Sequence, residues 1–262
     1  MYELSGIDVR SDGPVRVVTL NHPDTLNAIS EDLHEQLVAL WGHLARDHDC
    51  RAVVLTGAGR AFSAGGSYED FEHRRVDLDA RHRSLRLARM LVDEMLDCAV
   101  PVVAAVNGAA VGLGCTVATL CDIVFMAERA FLADTHVSVA LVAGDGGAVT
   151  WPALTSLLRA KQYLLTGDRL SATEAVELGL ANFVVPADQL LADATAYAQR
   201  LAAQPPQAIQ QTKALLNQHL RANAARTLAQ GLEAEGQSHD TPEYEAIGQS
   251  LKNAASGVVQ PP

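Results

Sequence analysis

Residues 102–125 read VVAAVNGAAVGLGCTVATLCDIVF, and the order of patterns in this segment indicates the fold. The run from Val102 to Val106 is short and β-branched, which is typical of a strand buried on both faces. A glycine-rich turn follows, and the apolar run from Cys115 to Leu120 predicts the first turns of a buried helix. Ile123 to Phe125 predicts a second strand. Free N–H groups at such a helix N-terminus favour a developing negative charge.

Composition excludes several classes of protein. The chain has 262 residues, 48% of them hydrophobic, which suffices for one large domain with or without an appendage. Its net charge of −11 would repel a phosphodiester backbone, so we expect no nucleic-acid partner. No apolar run reaches about 18 residues, so we expect no membrane span. The four cysteines lack CxxC spacing, which predicts buried reduced thiols, no metal site and a cytoplasmic protein.

Strand and helix patterns alternate as far as about residue 185, which predicts an α/β fold with largely parallel strands. Residues 7–20 predict a hairpin, and Ser30 is a good N-cap for a helix that runs to about Asp47. On or beside that helix, Trp41 is predicted to be in the core, and His34, His43 and His48 are predicted to be solvated. The charged run from Asp70 to Ala80 predicts an exposed loop.

The C-terminal part has a different pattern, because strand patterns stop after Pro186. Residues 190–204, 206–219 and 224–237 predict three successive helices that pack on the core or on a neighbouring subunit. We therefore divide the chain into an α/β core, residues 1–190, and a C-terminal helical region, residues 191–262.

Two glycine-rich turns each follow a predicted buried strand, one near Gly66 and one at Leu113-Gly114. Each turn presents a backbone N–H, and two such donors that converge on one point would form an oxyanion hole. Three familiar motifs are excluded. The dinucleotide fingerprint lacks its third glycine, the Walker A loop lacks its lysine, and Ser63 is not flanked as in a nucleophile elbow.

His136 and Asp145 lie on the loop that follows residues 102–125. A histidine oriented by a carboxylate can deprotonate water near neutral pH. Taken alone, the pair is more typical of an exposed loop histidine and a turn aspartate than of a catalytic pair.

Several motifs of this chain are similar, in their order and spacing, to motifs of the crotonase, or enoyl-CoA hydratase/isomerase, superfamily. The resemblance runs from about Val15 to Lys252. The matching pieces are Leu20-Asn21-His22-Pro23, Leu26-Asn27-Ala28, Phe62-Ser63-Ala64-Gly65-Gly66, Val106 to Cys115, Cys121-Asp122-Ile123, Leu165 to Ala172, Glu174-Ala175, Gly179-Leu180 and Val184-Val185-Pro186.

This resemblance implies a crotonase-like spiral of ββα units, a C-terminal helical trimerisation region, and homotrimers or dimers of trimers. It implies an oxyanion hole from the N–H groups of Gly66 and Leu113, and an acyl-CoA substrate of the kind used in fatty acid metabolism. Coenzyme A would be part of the substrate, and no other cofactor is expected. The residues that we expect at the substrate are Ala64, Ser67, Thr116 and Trp151.

Five residues near the expected site depart from the family pattern. Hydratases of the family carry one glutamate where Thr116 stands and a second where His136 stands. His22 and Asp24 stand where the family has basic residues near the CoA phosphates, and Ser67 replaces an aspartate. The usual pair of glutamates that holds water for addition to a double bond is therefore missing.

Three functions follow from these residues. The general one is a hydratase- or isomerase-type enzyme on an acyl-CoA, in which Asp145 could shuttle a proton by itself. The second resembles the β-diketone hydrolases of the superfamily, which cleave carbon–carbon bonds without CoA and would use His136, Asp145 and, from the C-terminal helices, Glu235. That branch has a further histidine where Leu113 stands here. The third is a non-catalytic scaffold or ligand-binding subunit.

Overall fold

The computed structural model describes residues 2–255, which form ten strands and ten α-helices. The strands are β1 (Ile7–Asp12), β2 (Val15–Leu20), β3 (Ala52–Gly57), β4 (Ala61–Ser63), β5 (Val102–Val106), β6 (Ala109–Val111), β7 (Ile123–Ala127), β8 (Phe131–Ala133), β9 (Leu170–Ser171) and β10 (Phe183–Val185). The helices are α1 (Glu31–Arg46), α2 (Tyr68–Val76), α3 (Leu78–Asp97), α4 (Leu113–Leu120), α5 (Gly147–Leu154), α6 (Leu157–Leu164), α7 (Ala172–Leu178), α8 (Leu190–Ala202), α9 (Pro206–Ser238) and α10 (Pro242–Ala255). Two short 3-10 helices span Pro23–Thr25 and His136–Val139.

The strands form two sheets. The larger sheet has the order β1-β2-β3-β5-β7-β10, in which only the β1–β2 hairpin is antiparallel. The smaller sheet has the order β4-β6-β8-β9, with β4, β6 and β8 parallel and β9 antiparallel. Strands β3 and β5 are buried at every residue, as expected for parallel strands covered on both faces. The predicted α/β class and the opening hairpin are confirmed.

The chain repeats a unit of two strands and a helix. A strand of the larger sheet is followed by a short strand of the smaller sheet and then by a helix, as in β5, β6 and α4. The same succession occurs in β3, β4 and α2, and in β7, β8 and α5. This repetition confirms the predicted spiral of ββα units. It also brings the carboxyl ends of β4, β6 and β8 side by side at one edge.

The core lies between the larger sheet and the helices that cover it. Helix α1 begins at the predicted N-cap, where the Ser30 hydroxyl accepts a hydrogen bond from the Leu33 N–H at 3.3 Å. Trp41 is buried, as predicted, and the four free cysteines are buried as well. On the other side of the sheet, α8 packs against β3 and β5.

The prediction of an exposed loop from Asp70 to Ala80 is wrong, because this segment belongs to α2 and α3. The Asp77 carboxylate caps α3 by accepting from the Asp79 and Ala80 N–H groups at 2.9 and 3.1 Å. Within α2, Arg75 and Glu72 form an i,i+3 ion pair at 2.7 Å. Capping and local ion pairs therefore stabilise these helices. Their apolar face is hard to recognise in the sequence because so many of their residues are charged.

Helix α9 corrects a second prediction, because residues 206–238 form one helix of 33 residues rather than two shorter ones. The polar residues that interrupt the apolar pattern have partners elsewhere. Arg221 pairs with Asp97, and the Asn223 amide donates to the Val149 carbonyl at 3.3 Å. Helix α9 packs against α3 and α5, so it lies on the core.

The domain division at residue 190 stays a prediction, and residues 256–262 of the predicted C-terminal region lie outside the described residues. Among helices α1 to α10 as described, none combines the length and the apolar character that a bilayer crossing demands.

Candidate active site

The first glycine turn follows β4 and leads to Gly66. Gly65 has a φ of 86°, and a Cβ atom at this residue would lie 2.7 Å from the Val111 carbonyl oxygen. Only glycine therefore allows this turn to pack against the end of β6. The Ser63 hydroxyl fixes the turn by accepting from the Gly65 N–H at 3.2 Å and donating to the Asn27 carbonyl at 2.8 Å.

The second glycine turn joins β6 to α4. Gly112 has a φ of 51° and stands at the N-cap, so α4 begins at Leu113. A Cβ atom at Gly114 would lie 2.6 Å from Cβ of Ser63. The missing side chain thus lets the N-terminus of α4 approach the first turn closely.

The two turns line one cavity of about 230 Å³. Gly66 and Leu113 both border it, together with His136, Asp145 and Glu235. Within residues 2–255 we find no hydrogen bond donated by the backbone N–H of Gly66 or of Leu113. Both N–H groups can therefore donate to a ligand oxygen. An oxyanion hole requires donors that are available in this way.

His136 lies just beyond the carboxyl end of β8 and is held between two aspartates. Its Nδ1 atom lies 2.6 Å from Asp134 Oδ1, and its Nε2 atom lies 3.2 Å from Asp145 Oδ2. All three side chains are buried. The expected pairing of His136 with Asp145 is therefore present, but the shorter contact, which orients the ring, comes from Asp134.

The two carboxylates determine the charge of the ring. Burial alone would lower the pKa of His136, but the charges of Asp145 and Asp134 outweigh it and hold this pKa well above its ordinary value. The imidazole is therefore protonated at neutral pH, and it forms a charged group with an aspartate at each nitrogen.

Glu235 reaches the same cavity from α9. A Cβ atom at Gly144 would lie 2.3 Å from the Gly231 carbonyl oxygen and 2.9 Å from Glu235 Oε2, so two glycines let the helix approach the loop. Donor atoms of Glu235, His136 and Asp145 all lie within 4.8 Å of one another.

The environment of Glu235 keeps its carboxyl group neutral. Burial, followed by the charge of Asp145, raises the pKa of Glu235 to about 8. Its Oε2 atom is buried and has no hydrogen-bond partner among the described residues. A neutral carboxyl group in this position can give a proton to a ligand.

The same three side chains are close enough to ligate a divalent cation. His136 already uses both ring nitrogens in contacts with carboxylates, so a metal ion would have to displace Asp145 from Nε2. The expectation that the site works without a metal stays a prediction.

Of the four residues that we expected at the substrate, two border the cavity and two do not. Ala64 and Ser67 border the cavity. Thr116 is buried behind it, with its hydroxyl 3.5 Å from Asp145 Oδ1. Trp151 is fully buried and packs against Tyr163, so it belongs to the core rather than to the lining of the cavity.

Sequence reasoning missed three residues of the site: Asp134, His34 and Arg74. The prediction that His34 is solvated is wrong, because it is 3% exposed and borders the cavity. His34 lies three and four residues before the buried Leu37 and Val38, and this helical spacing could have predicted its burial. Arg74 belonged to the segment that we predicted as a loop.

The amino-acid sequence matches a known protein family. The family model described as enoyl-CoA hydratase/isomerase matches residues 10–252. The short-chain-enoyl-CoA hydratase of Clostridium acetobutylicum is 31% identical over 243 residues, which are 91% of each chain.

Two solved structures are similar as well. An enoyl-CoA hydratase/isomerase from Mycobacterium paratuberculosis has a TM-score of 0.92 and 50% identity, over 95% of this chain and 100% of that one. A β-diketone hydrolase from the cyanobacterium Anabaena, bound to (S)-3-oxocyclohexyl acetic acid, has a TM-score of 0.84 and 27% identity, over 90% and 95%. With the fold, the two turns and the extent of these matches, the chain belongs to the enoyl-CoA hydratase/isomerase family and has the crotonase fold.

Proposed function

We propose that the protein hydrolyses a carbon–carbon bond of a small β-diketone by a retro-Claisen reaction, without coenzyme A. The observation that supports this proposal is the buried set of Asp134, His136, Asp145 and Glu235. It lies beside the backbone N–H groups of Gly66 and Leu113, for which we find no acceptor among residues 2–255. By the resemblance described above, Thr116 and His136 stand at the positions of the two hydratase glutamates, and on that reading the usual addition of water to a double bond lacks its base and its acid.

The first step is the addition of water to one carbonyl carbon. The water oxygen forms the new C–O bond, and the carbonyl electrons move onto the carbonyl oxygen. Because His136 is protonated, the carboxylate of Asp145 takes the proton from water. The N–H groups of Gly66 and Leu113 stabilise the tetrahedral oxyanion, and each donor of this kind contributes roughly 3–4 kcal/mol.

The second step breaks the carbon–carbon bond. The oxyanion re-forms a carbonyl group, now that of a carboxylic acid, and the electron pair of the broken bond forms an enolate with the second carbonyl group. Glu235, neutral at pH 7, gives its proton to the α-carbon. The proton that Asp145 took from water then passes to Glu235, so one water and one cyclic diketone give one oxo-acid.

The test uses bicyclo[2.2.2]octane-2,6-dione, a β-diketone whose hydrolysis gives 3-oxocyclohexyl acetic acid. In ¹⁸O-labelled water we expect one labelled oxygen in the product carboxylate. His136→Ala should reduce kcat/KM by about 100-fold or more, because it removes the cation on which the proton transfers of Asp145 and Glu235 depend. His82→Ala is the matched control, since His82 is an exposed histidine on α3. Unchanged turnover in His136→Ala would refute the mechanism.

A second candidate function is proton transfer on an acyl-CoA thioester. The family match and the hydratase names of the relatives favour it, and the same oxyanion hole would stabilise a thioester enolate while Asp145 shuttles the proton. Calorimetry with a panel of CoA esters tests it. Binding of a CoA ester together with Asp145-dependent turnover would support this candidate over the hydrolase.

A further inference from the structure

Arg74 borders the cavity but has no part in the proton transfers described above. Its side chain is 19% exposed, and in the described part of the chain its ion pair joins Nη2 to Asp70 Oδ2 at 3.6 Å. That distance exceeds a normal hydrogen bond, and among these residues we find no hydrogen bond donated by the guanidinium group. A largely buried guanidinium with five N–H donors is stable only when a partner satisfies it.

The guanidinium group lies against the oxyanion hole. Its Nη1 atom is 3.8 Å from the place that a Cβ atom of Gly66 would occupy. A ligand bound beside Gly66 therefore also comes close to Arg74.

His34 supplies a neutral donor in the same cavity. It is 3% exposed, and its Nε2 atom has no hydrogen-bond partner among the described residues. Burial, and then the charge of Arg74, lower the pKa of His34 to about 3, so the ring is uncharged at neutral pH. An uncharged imidazole can donate one N–H to an anion that Arg74 holds.

The other charges around the cavity explain why an anion would bind at Arg74. His136 is the second cation, and the two carboxylates of Asp134 and Asp145 more than offset its single charge. Glu235 is neutral at pH 7. Among the described cavity residues, Arg74 thus offers the cation that is least compensated.

We propose that Arg74 and His34 form a subsite that binds the carboxylate of an oxo-acid. This inference rests on the proposed function, because retro-Claisen hydrolysis converts a neutral diketone into an oxo-acid. The planar guanidinium group can bind a carboxylate through two parallel N–H donors. The subsite would therefore hold the product, and the released enzyme would bind the acid more tightly than a neutral analogue.

The test is isothermal calorimetry at pH 7 with 3-oxocyclohexyl acetate and, as the uncharged analogue, its methyl ester. We expect wild-type protein to bind the acid about tenfold or more tightly than the ester. Arg74→Gln should abolish this preference, and Arg74→Lys should retain part of it because the charge remains. Arg75→Gln is the matched control, since Arg75 is the next residue of α2 and pairs with Glu72.

Three results would overturn the proposal. One is equal affinity of wild-type protein for acid and ester, and another is the same loss for both ligands in Arg74→Gln. The third comes from an arm with inorganic phosphate, because tighter Arg74-dependent binding of phosphate than of the acid would assign the subsite to a phosphate group. These measurements require no turnover, so failure of dione hydrolysis would be recognised separately.

Discussion

Asp134 and Asp145 contact the two nitrogens of one imidazole, and this determines how His136 can react. A histidine with a free nitrogen would act alone as a base. Here the ring is protonated and bridges two carboxylates. In the proposed mechanism it therefore acts as a fixed positive charge while Asp145 and Glu235 transfer protons. The site is therefore a group of acids arranged around one cation.

The first prediction concerns Asp134 as a positioning residue. Asp134→Asn keeps the shape but removes the charge and permits the wrong tautomer of His136. We expect kcat to fall by about 10²-fold or more and the pKa of His136 to fall toward its ordinary value. Titration of the ring followed by NMR checks the second effect, which a purely structural role would not produce. An unshifted titration would show that Asp134 does not govern the ring.

The second prediction concerns the stability contributed by Glu235. Its folded pKa of about 8 lies above its ordinary value of 4.5, so the folded protein holds this proton more tightly than the unfolded chain. The associated stability is complete below about pH 4.5 and is lost as the pH rises through about 8. Glu235→Gln removes this dependence, so its thermal midpoint relative to wild type should be higher at pH 9 than at pH 5. A difference that does not change with pH would contradict the assignment.

At the scale of elements, the site is assembled from ends of strands and one helix. Parallel strands β4, β6 and β8 end at the same edge, and the next residues of each supply Gly66, Leu113 and His136. Helix α9 completes the set with Glu235, and the Gly144–Gly231 contact fixes how closely it approaches. The relative position of α9 and this edge therefore controls proton transfer.

The third prediction tests that contact. In Gly231→Ala, the new Cβ would lie 3.1 Å from Gly144 Cα, so α9 must shift by a few tenths of an ångström. We expect a loss of stability of about 1–3 kcal/mol and a fall in kcat larger than the change in KM. Denaturant unfolding and steady-state kinetics measure both. Gly42→Ala is the control, because only the flexible Arg46 side chain lies near that position. Equal effects of the two variants would rule out a special role for the contact.

At the scale of the whole molecule, the sequence predicted the fold far better than the site. Buried parallel strands produce short β-branched runs, and tight turns require glycine, so the α/β order and both turns were readable. The contact of His136 with Asp134 was not readable, because Asp134 lies two residues away on the same loop and no local pattern marks it as the partner of the ring. The burial of His34 and the approach of α9 depend on tertiary packing, which local patterns do not encode.

The fourth prediction concerns assembly, which the resemblance implies to be trimeric. Large apolar side chains are exposed on α6 and α9, among them Leu158 at 80% and Leu215 at 72%. Exposed leucines in such numbers are typical of a subunit interface. We expect light scattering to give the mass of a trimer or hexamer, and Leu158→Glu to shift it toward the monomer. A monomeric wild type would contradict this expectation.

Glu235 stands near the end of the chain, long after both sheets are complete. A chain cut ahead of α9 would keep both glycine turns and His136 in its sequence but would lose Glu235. In the proposed mechanism such a shortened chain has no acid left to protonate the departing carbon.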